Sequence, residues 1–92
     1  MTFQHVAGRR NGTIVLYALS TCMWCRMTKS LLNEIGVAYS YVDVDTLEGR
    51  DKDQAKAEMK RWNPSGSFPT IVIDDREVIA GYDEEEIRGK FA

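Results

Sequence analysis

The two cysteines of this chain lie three residues apart, in a stretch from Ser20 to Cys25 that reads Ser-Thr-Cys-Met-Trp-Cys. An apolar, β-branched run at residues 13–19 comes directly before this stretch, and a segment with helical periodicity follows it. The pair is therefore predicted to lie at a strand-to-helix turn, at the sheet edge where open α/β proteins place their sites. Thiols spaced in this way on the first turn of a helix can close a disulfide with little backbone movement.

The position of the pair predicts unequal roles for the two thiols. Cys22 is expected at the helix N-terminus, where unpaired backbone N–H groups and the helix dipole favour a thiolate. Arg26 adds a positive charge four residues later, and no carboxylate occurs between residues 13 and 33. We therefore predict that Cys22 is the nucleophile. Cys25, one turn further into the helix and flanked by Trp24, is predicted to be the less exposed, resolving thiol.

Two other interpretations of the pair are a couple of small buried hydrophobic side chains and half of a zinc site. A zinc site needs about four ligands, whereas the rest of the sequence contains no further cysteine and a single histidine, His5. A disulfide across so short a loop removes little entropy from the unfolded chain, which argues against a structural staple. A lone C-x-x-C beside a strand and a helix therefore favours a redox pair.

Size and charge exclude several classes of protein. With 92 residues, 43% of them hydrophobic, the chain can form one modest core, so we predict a single domain with residues 1–12 as an N-terminal extension. A net charge of -2 gives no sign of a nucleic-acid or anionic membrane surface. There is no apolar run of membrane-spanning length and no signal-peptide pattern. We expect a cytoplasmic monomer with protein or small-thiol partners and neither metal nor cofactor.

Hydrophobic periodicity and turn residues predict the order β-α-β-α-β-β-α. The predicted strands cover residues 13–19, 37–44, 68–73 and 77–80, and the predicted helices cover 24–35, 47–62 and 84–91. The first strand is apolar on both faces and is expected at the sheet centre, parallel to the second because a helix joins them. Residues 2–7 form either the first arm of a hairpin with the 13–19 strand or a frayed terminus.

The helices are predicted to be amphipathic. In the first helix, which Gly36 ends, the apolar face is assigned to Met27, Leu31, Leu32 and Ile35. The opposite face, a solvated one, is assigned to Arg26, Lys29, Ser30 and Asn33. Asp83 is predicted to cap the N-terminus of the last helix, and Ile87 and Phe91 are predicted to pack that helix on the sheet.

This order of elements resembles the thioredoxin superfamily and most closely the glutaredoxins. The resemblance covers about residues 13–91 and is carried by three landmarks: Cys22-Met23-Trp24-Cys25, Ser67-Phe68-Pro69-Thr70 and Gly81-Tyr82-Asp83. It implies an α/β thioredoxin fold, in which helices flank a mixed four-stranded sheet and the N-terminal extension can add a further strand. It also implies a dithiol–disulfide oxidoreductase that reduces protein disulfides through a reversible Cys22–Cys25 disulfide.

The resemblance also implies roles for individual residues. Pro69 is expected to follow a cis peptide bond and to lie across from the cysteine pair, so that the backbone of Phe68 binds an extended peptide or a thiol substrate. The substrate-binding residues that it implies are Thr21, Met23, Trp24, Arg26, Phe68, Pro69, Gly81, Tyr82 and Asp83.

The sequence departs from the family pattern at three places. Leu19 stands where family glutathione sites have a basic residue, Ala80-Gly81 replaces the usual Gly-Gly, and Met23 replaces a common proline. These departures leave the thiol chemistry intact and favour a dedicated protein reductase over glutathione as the electron donor.

Three alternatives stay open at this stage. One is a classical glutathione-dependent glutaredoxin, with glutathione as co-substrate and Asp83 near its amino group. Another is a module that holds an iron–sulfur cluster between two subunits through Cys22. The third, a structural adaptor, is disfavoured because both cysteines are present.

Overall fold

A five-stranded mixed sheet lies at the centre of the computed structural model, which describes residues 2–92. The strands are β1 (Gln4–Val6), β2 (Ile14–Ala18), β3 (Tyr39–Asp43), β4 (Thr70–Ile73) and β5 (Glu77–Ala80), in the spatial order β1-β3-β2-β4-β5. The helices are α1 (Met23–Ile35), α2 (Gly49–Trp62) and α3 (Glu84–Phe91), with a 3₁₀ turn (Val44–Thr46) after β3. The predicted thioredoxin fold is confirmed, and the N-terminal extension supplies its fifth strand.

β2 lies in the middle of the sheet because both of its faces are apolar. It pairs parallel with β3 and antiparallel with β4. Successive side chains of a strand point to opposite faces, so β2 contributes Leu16 to one core cluster and Tyr17 to another. The first core cluster includes buried residues of α1 and α3, and the second includes Ala55 and Met59 of α2.

The predicted hairpin of residues 2–7 with the 13–19 strand is wrong. β1 instead pairs antiparallel with β3, with Val6 opposite Tyr39. Both edges of β2 are already bonded, to β3 and β4, so β2 has no free edge for a hairpin partner. The extension is also fixed beyond β1, because the Arg9 guanidinium donates to the carbonyl oxygen of Phe91 at 2.8 Å. The alternative of a frayed terminus is therefore wrong for these residues as well.

The ends of the helices follow local sequence signals. Gly36 ends α1 in the left-handed conformation, with φ of 85°, and Asp83 caps α3 by accepting a hydrogen bond from the Glu86 N–H at 3.0 Å. Both ends were predicted. α2 begins two residues later than predicted, because the Thr46 hydroxyl bonds to the Asp43 carbonyl and holds a separate 3₁₀ turn.

Two features of α1 differ from the predicted pattern. Met27 was assigned to the apolar face, but 39% of it is exposed, and the buried residues are Cys25, Thr28, Leu31 and Leu32. Thr28 can be buried because its hydroxyl donates to the Trp24 carbonyl at 2.8 Å. Lys29 was assigned to a solvated face. It is half-buried instead, because its Nζ pairs with Asp43 at 2.9 Å and lies 4.1 Å from the ring centroid of Tyr41.

Candidate functional site

Cys22 is the N-cap residue of α1. Its backbone is extended, with φ of -86° and ψ of 120°, and its Sγ accepts a hydrogen bond from the Cys25 N–H at 3.3 Å. Cys22 is half-buried, so it is accessible from solvent while its sulfur contacts the N–H of the first helical turn. This is the strand-to-helix position that the sequence predicted, and it suits a sulfur that carries negative charge.

Cys25 lies about one helical turn beyond Cys22 and has no exposed surface. Its Sγ accepts a hydrogen bond from the Leu19 N–H at 3.4 Å. Burial, and after it the hydrogen bond with Cys22, raise the pKa of the Cys25 thiol to about 12. Both cysteines are free, so the structure describes the dithiol form, in which Cys25 is a protonated, sheltered thiol.

The loop that carries the pair is held by an aspartate that the sequence analysis missed. The Asp45 carboxylate accepts hydrogen bonds from the Ser20 N–H at 2.8 Å and from the Ser20 hydroxyl at 2.5 Å. These two bonds keep the pKa of the Asp45 carboxyl below its ordinary value. A signal was present: β2 and β3 are parallel neighbours, so the segments that follow them meet at the same sheet edge.

The second landmark lies beside the cysteines. The Phe68–Pro69 peptide bond is cis, as the resemblance implied. Pro69 is buried, and its carbonyl accepts a hydrogen bond from the Gly81 N–H at 2.8 Å, which joins this segment to the third landmark. Within residues 2–92, the N–H and carbonyl groups of Phe68 form no hydrogen bond. Cys22, Phe68 and Tyr82 pack against the first core cluster, which contains Cys25.

Trp24 and Tyr82 connect the first turn of α1 to the segment before α3. Their rings are stacked, with centroids 5.6 Å apart and planes 29° apart. Trp24 nevertheless remains 55% exposed. One carboxylate oxygen of Asp83 is used to cap α3. The Gly81-Tyr82-Asp83 segment therefore lies next to the first turn of α1, which carries the cysteine pair.

The other predicted site residues are exposed near the pair. Thr21 and Met23 flank Cys22, and Met23 is 70% exposed. The Arg26 N–H donates to the Cys22 carbonyl at 3.0 Å, whereas its guanidinium forms no hydrogen bond or ion pair within residues 2–92. Leu19 is half-buried: its side chain packs against the second core cluster, and its N–H donates to Cys25 Sγ.

Two surveys of residues 2–92 bear on other kinds of site. Among these residues, no three His, Cys, Asp or Glu side chains converge as ligands for a metal ion. In the same part of the chain, no helix is both long enough and apolar enough to span a membrane.

Comparisons with known proteins agree with this geometry. The family model "Glutaredoxin" matches residues 14–78. The crystal structure of methanoredoxin from Methanosarcina acetivorans is similar, with a TM-score of 0.89 and 46% identity over 92% of this chain and 90% of that one. The glutaredoxin from Methanosarcina mazei Go1 is also similar, with a TM-score of 0.90 and 47% identity over 98% of this chain and 87% of that one.

A more distant relative is glutaredoxin 1 of Rickettsia conorii, which is 32% identical over 66 residues. That match covers 72% of this chain and 62% of the relative, so the chain spans about three fifths of the length of this curated protein. The family match nevertheless includes both cysteines, the cis proline, the whole of β2, β3 and β4, and the start of β5. The fold, the site and these comparisons together show that the chain belongs to the glutaredoxin family.

Proposed function

We propose that the protein is a dithiol–disulfide oxidoreductase that reduces disulfides of target proteins through a reversible Cys22–Cys25 disulfide. The asymmetry of the two thiols carries this proposal. Cys22 Sγ lies half-exposed at the helix N-terminus, while Cys25 is buried and bonded to it through its N–H. One sulfur is thus placed to attack from solvent, and the other is placed to react only with the first.

The proposed reaction has two exchange steps. The Cys22 thiolate attacks one sulfur of the target disulfide, which forms a Cys22–target disulfide and releases the other target sulfur as a thiolate. The Cys25 sulfur then attacks Cys22 Sγ, passes its proton to the departing second thiolate and closes the Cys22–Cys25 disulfide. The target gains two electrons, and two thiol groups of a donor later return two electrons to the protein.

Substrate positioning is assigned to the segments beside the pair. The N–H and carbonyl groups of Phe68 have no partner within residues 2–92, so they can pair with an extended segment of the target. Pro69 holds Phe68 beside the thiols, and Gly81 fixes the Pro69 carbonyl. Thr21, Met23, Trp24, Arg26, Tyr82 and Asp83 surround this position as proposed substrate-binding residues.

Separate serine variants of the cysteines test the thiol roles. Cys22→Ser is expected to abolish reduction of an insulin disulfide, because no other exposed thiol remains. Cys25→Ser is expected to accumulate a covalent adduct with insulin, visible on a non-reducing gel, because the first step proceeds without the second. Equal loss of activity in both variants without an adduct would contradict the assignment.

We further propose that a protein reductase supplies the electrons more efficiently than glutathione does. Glutathione carries two carboxylates, and Leu19 places no cation at the rim of Cys22. The loss of one charge-assisted hydrogen bond costs roughly 1.5–3 kcal/mol, or about ten- to a hundredfold in affinity. Arg26 and Asp83 leave weakened rather than abolished glutathione binding.

Restoring the missing charge tests the choice of donor. Leu19→Lys is expected to speed the reduction of the oxidised protein by glutathione by about tenfold. Val78→Lys adds the same charge on β5 and serves as the matched control, for which no acceleration is expected. A wild-type rate equal to that of Leu19→Lys would show that glutathione is a competent donor.

We propose that residues 1–92 act as one domain, as a monomer, in the reducing cytoplasm, where a free dithiol persists. Sedimentation velocity on the reduced protein measures its oligomeric state, and a concentration-dependent dimer would contradict the proposed monomer.

A further inference from the structure

The large hydrophobic side chains that are exposed within residues 2–92 all lie beside Cys22. They are Met23, Trp24 and Met27, with 70%, 55% and 39% of their surfaces exposed. Single exposed apolar side chains are ordinary, but a cluster of them at one place marks a binding surface. Here the cluster adjoins the sulfur that is proposed to attack the target.

A groove between α1 and α3 continues from this cluster. Its volume is about 300 Å³, and Met23, Met27, Leu31 and Tyr82 form its apolar lining. It extends along α1 as far as Glu34. The twelve residues from Met23 to Glu34 span about 16 Å of helix, which about five residues of extended chain would cover. The groove therefore has the length of a short peptide.

The charges at the two ends of the groove differ. At the end far from Cys22, Arg88 donates to Glu84 at 2.8 Å and also pairs with Glu34, so all three groups are paired and together carry one negative charge. At the near end, the Arg26 guanidinium forms no hydrogen bond or ion pair with any described residue. A carboxylate is the group that complements Arg26 there.

We propose that this groove binds an extended segment of the target protein that carries an apolar side chain and a carboxylate close to the disulfide. The apolar side chain packs against Met23 and Met27, and the carboxylate pairs with Arg26. The inference rests on the proposed function and specifies its substrates as protein disulfides with apolar and acidic neighbours. The net charge of -2 disfavours acidic substrates overall, so a preference for them must arise locally.

Three synthetic peptides, each a dimer linked by one disulfide, test this preference. The first has leucine before and aspartate after its cysteine, the second has lysine instead of the aspartate, and the third has glycine instead of the leucine. The ratio of kcat/KM values between two peptides is measured on the same protein, so that any effect of a variant on the thiols cancels. The wild type is expected to prefer aspartate to lysine and leucine to glycine by about fivefold each.

Variants of the groove should change one ratio at a time. Arg26→Glu is expected to reverse the preference for aspartate, whereas Arg50→Glu, a charge reversal on the distant helix α2, should retain it. Met27→Ser is expected to lower the preference for leucine to about one while retaining the preference for aspartate. High salt should weaken only the charge preference, because it screens exposed ion pairs.

Other outcomes would overturn the inference. Equal kcat/KM values of the wild type for all three peptides would show that the groove does not select substrates, although the proposed function would stand. A dimer that Met27→Ser dissociates, without peptide preference, would assign the groove to a second copy of the chain. Absence of Cys22-dependent reduction of every peptide would overturn the proposed function together with this inference.

Discussion

The two faces of the sheet are covered very differently. Among residues 2–92, the first core cluster, under α1 and α3, contains 13 buried residues, and both cysteines belong to it or pack against it. In the same part of the chain, the second core cluster, under α2, contains six buried residues and neither thiol. The exposed apolar side chains Met23, Trp24 and Met27 also belong to α1.

This difference separates two tasks within a small protein. The larger core holds the first turn of α1 rigidly enough to bury Cys25 completely while it leaves Cys22 accessible. The α2 face stabilises the opposite side of the sheet. It is connected to the site by Phe68, which packs against both clusters, and by Asp45, which accepts a hydrogen bond from the Ser20 N–H. Changes to the α1–α3 face should therefore alter thiol chemistry, and changes to the α2 face should mainly alter stability.

The largest effect expected from the α1–α3 face is its protection of Cys25. In the native reduced protein near pH 7.5, iodoacetamide should modify Cys25 more than about a thousandfold more slowly than Cys22, because Cys25 is buried and its pKa is raised to about 12. Mass spectrometry of timed samples measures both rates. In 6 M guanidinium chloride the two rates should converge, and similar rates in the native protein would contradict the burial of Cys25.

A pair of core substitutions tests whether the faces are functionally separate. Leu32→Ala in the first core cluster and Met59→Ala in the second should each lower the free energy of unfolding by about 3 kcal/mol, because both side chains are buried. Urea denaturation measures this loss. Only Leu32→Ala should also speed the alkylation of Cys25. Equal acceleration in Met59→Ala would break the proposed division between the faces.

Titration of buried groups in the two core clusters should lower the stability of the protein from different pH values upwards. Burial raises the pKa of Cys25 from 9.0 to about 12 in the first cluster, and it raises the pKa of Tyr17 from 10.0 to about 12 in the second. The folded state then holds protons that the unfolded chain has lost, so stability falls as pH rises, by at most about 1.4 kcal/mol per pH unit and group.

The loss of stability caused by Cys25 should begin near pH 9, and the loss caused by Tyr17 should begin near pH 10. Thermal melting of the reduced protein at several pH values measures this fall. The oxidised protein has no Cys25 thiol to titrate, so its decline should begin about one pH unit later. Identical profiles of the two redox forms would contradict a raised Cys25 pKa.

The smallest effect concerns the contact between the α2 side and the cysteine loop. Asp45→Ala removes both hydrogen bonds to Ser20 and should slow insulin reduction by about threefold, with less than about 1 kcal/mol lost because the pair is exposed. Asp45→Asn retains acceptor capacity and should lie closer to the wild type. Since Ser20 lowers the pKa of Asp45, the stabilisation should disappear as pH falls below about 4. An unchanged rate of insulin reduction in Asp45→Ala would show that the Asp45–Ser20 contact is dispensable for the reaction.

Several parts of the site could be predicted because their signals are local. The position of Cys22 at the start of α1 follows from an apolar strand directly before the cysteines and helical periodicity directly after them. Asp83 was recognisable as a cap because its partner, Glu86, is three residues away. The exposure of Met27 was not predictable in the same way. The spacing of the apolar residues in α1 fits a buried face that includes Met27 as well as the observed buried face, which excludes it. The buried hydroxyl of Thr28 decided between these faces.

The sequence by itself determined the order of strands and helices from β2 onwards, the C-terminus of α1, the N-terminus of α3 and the unequal placement of the two thiols. Each of these depends on residues within a few positions of one another, whose backbone preferences and spacing act locally. Tertiary structure alone decided the partner strand of β1, the hydrogen bonds between Ser20 and Asp45, and the stacking of Trp24 on Tyr82. These pairs are 25 or more residues apart, so their contacts depend on how the whole sheet is assembled rather than on any local pattern.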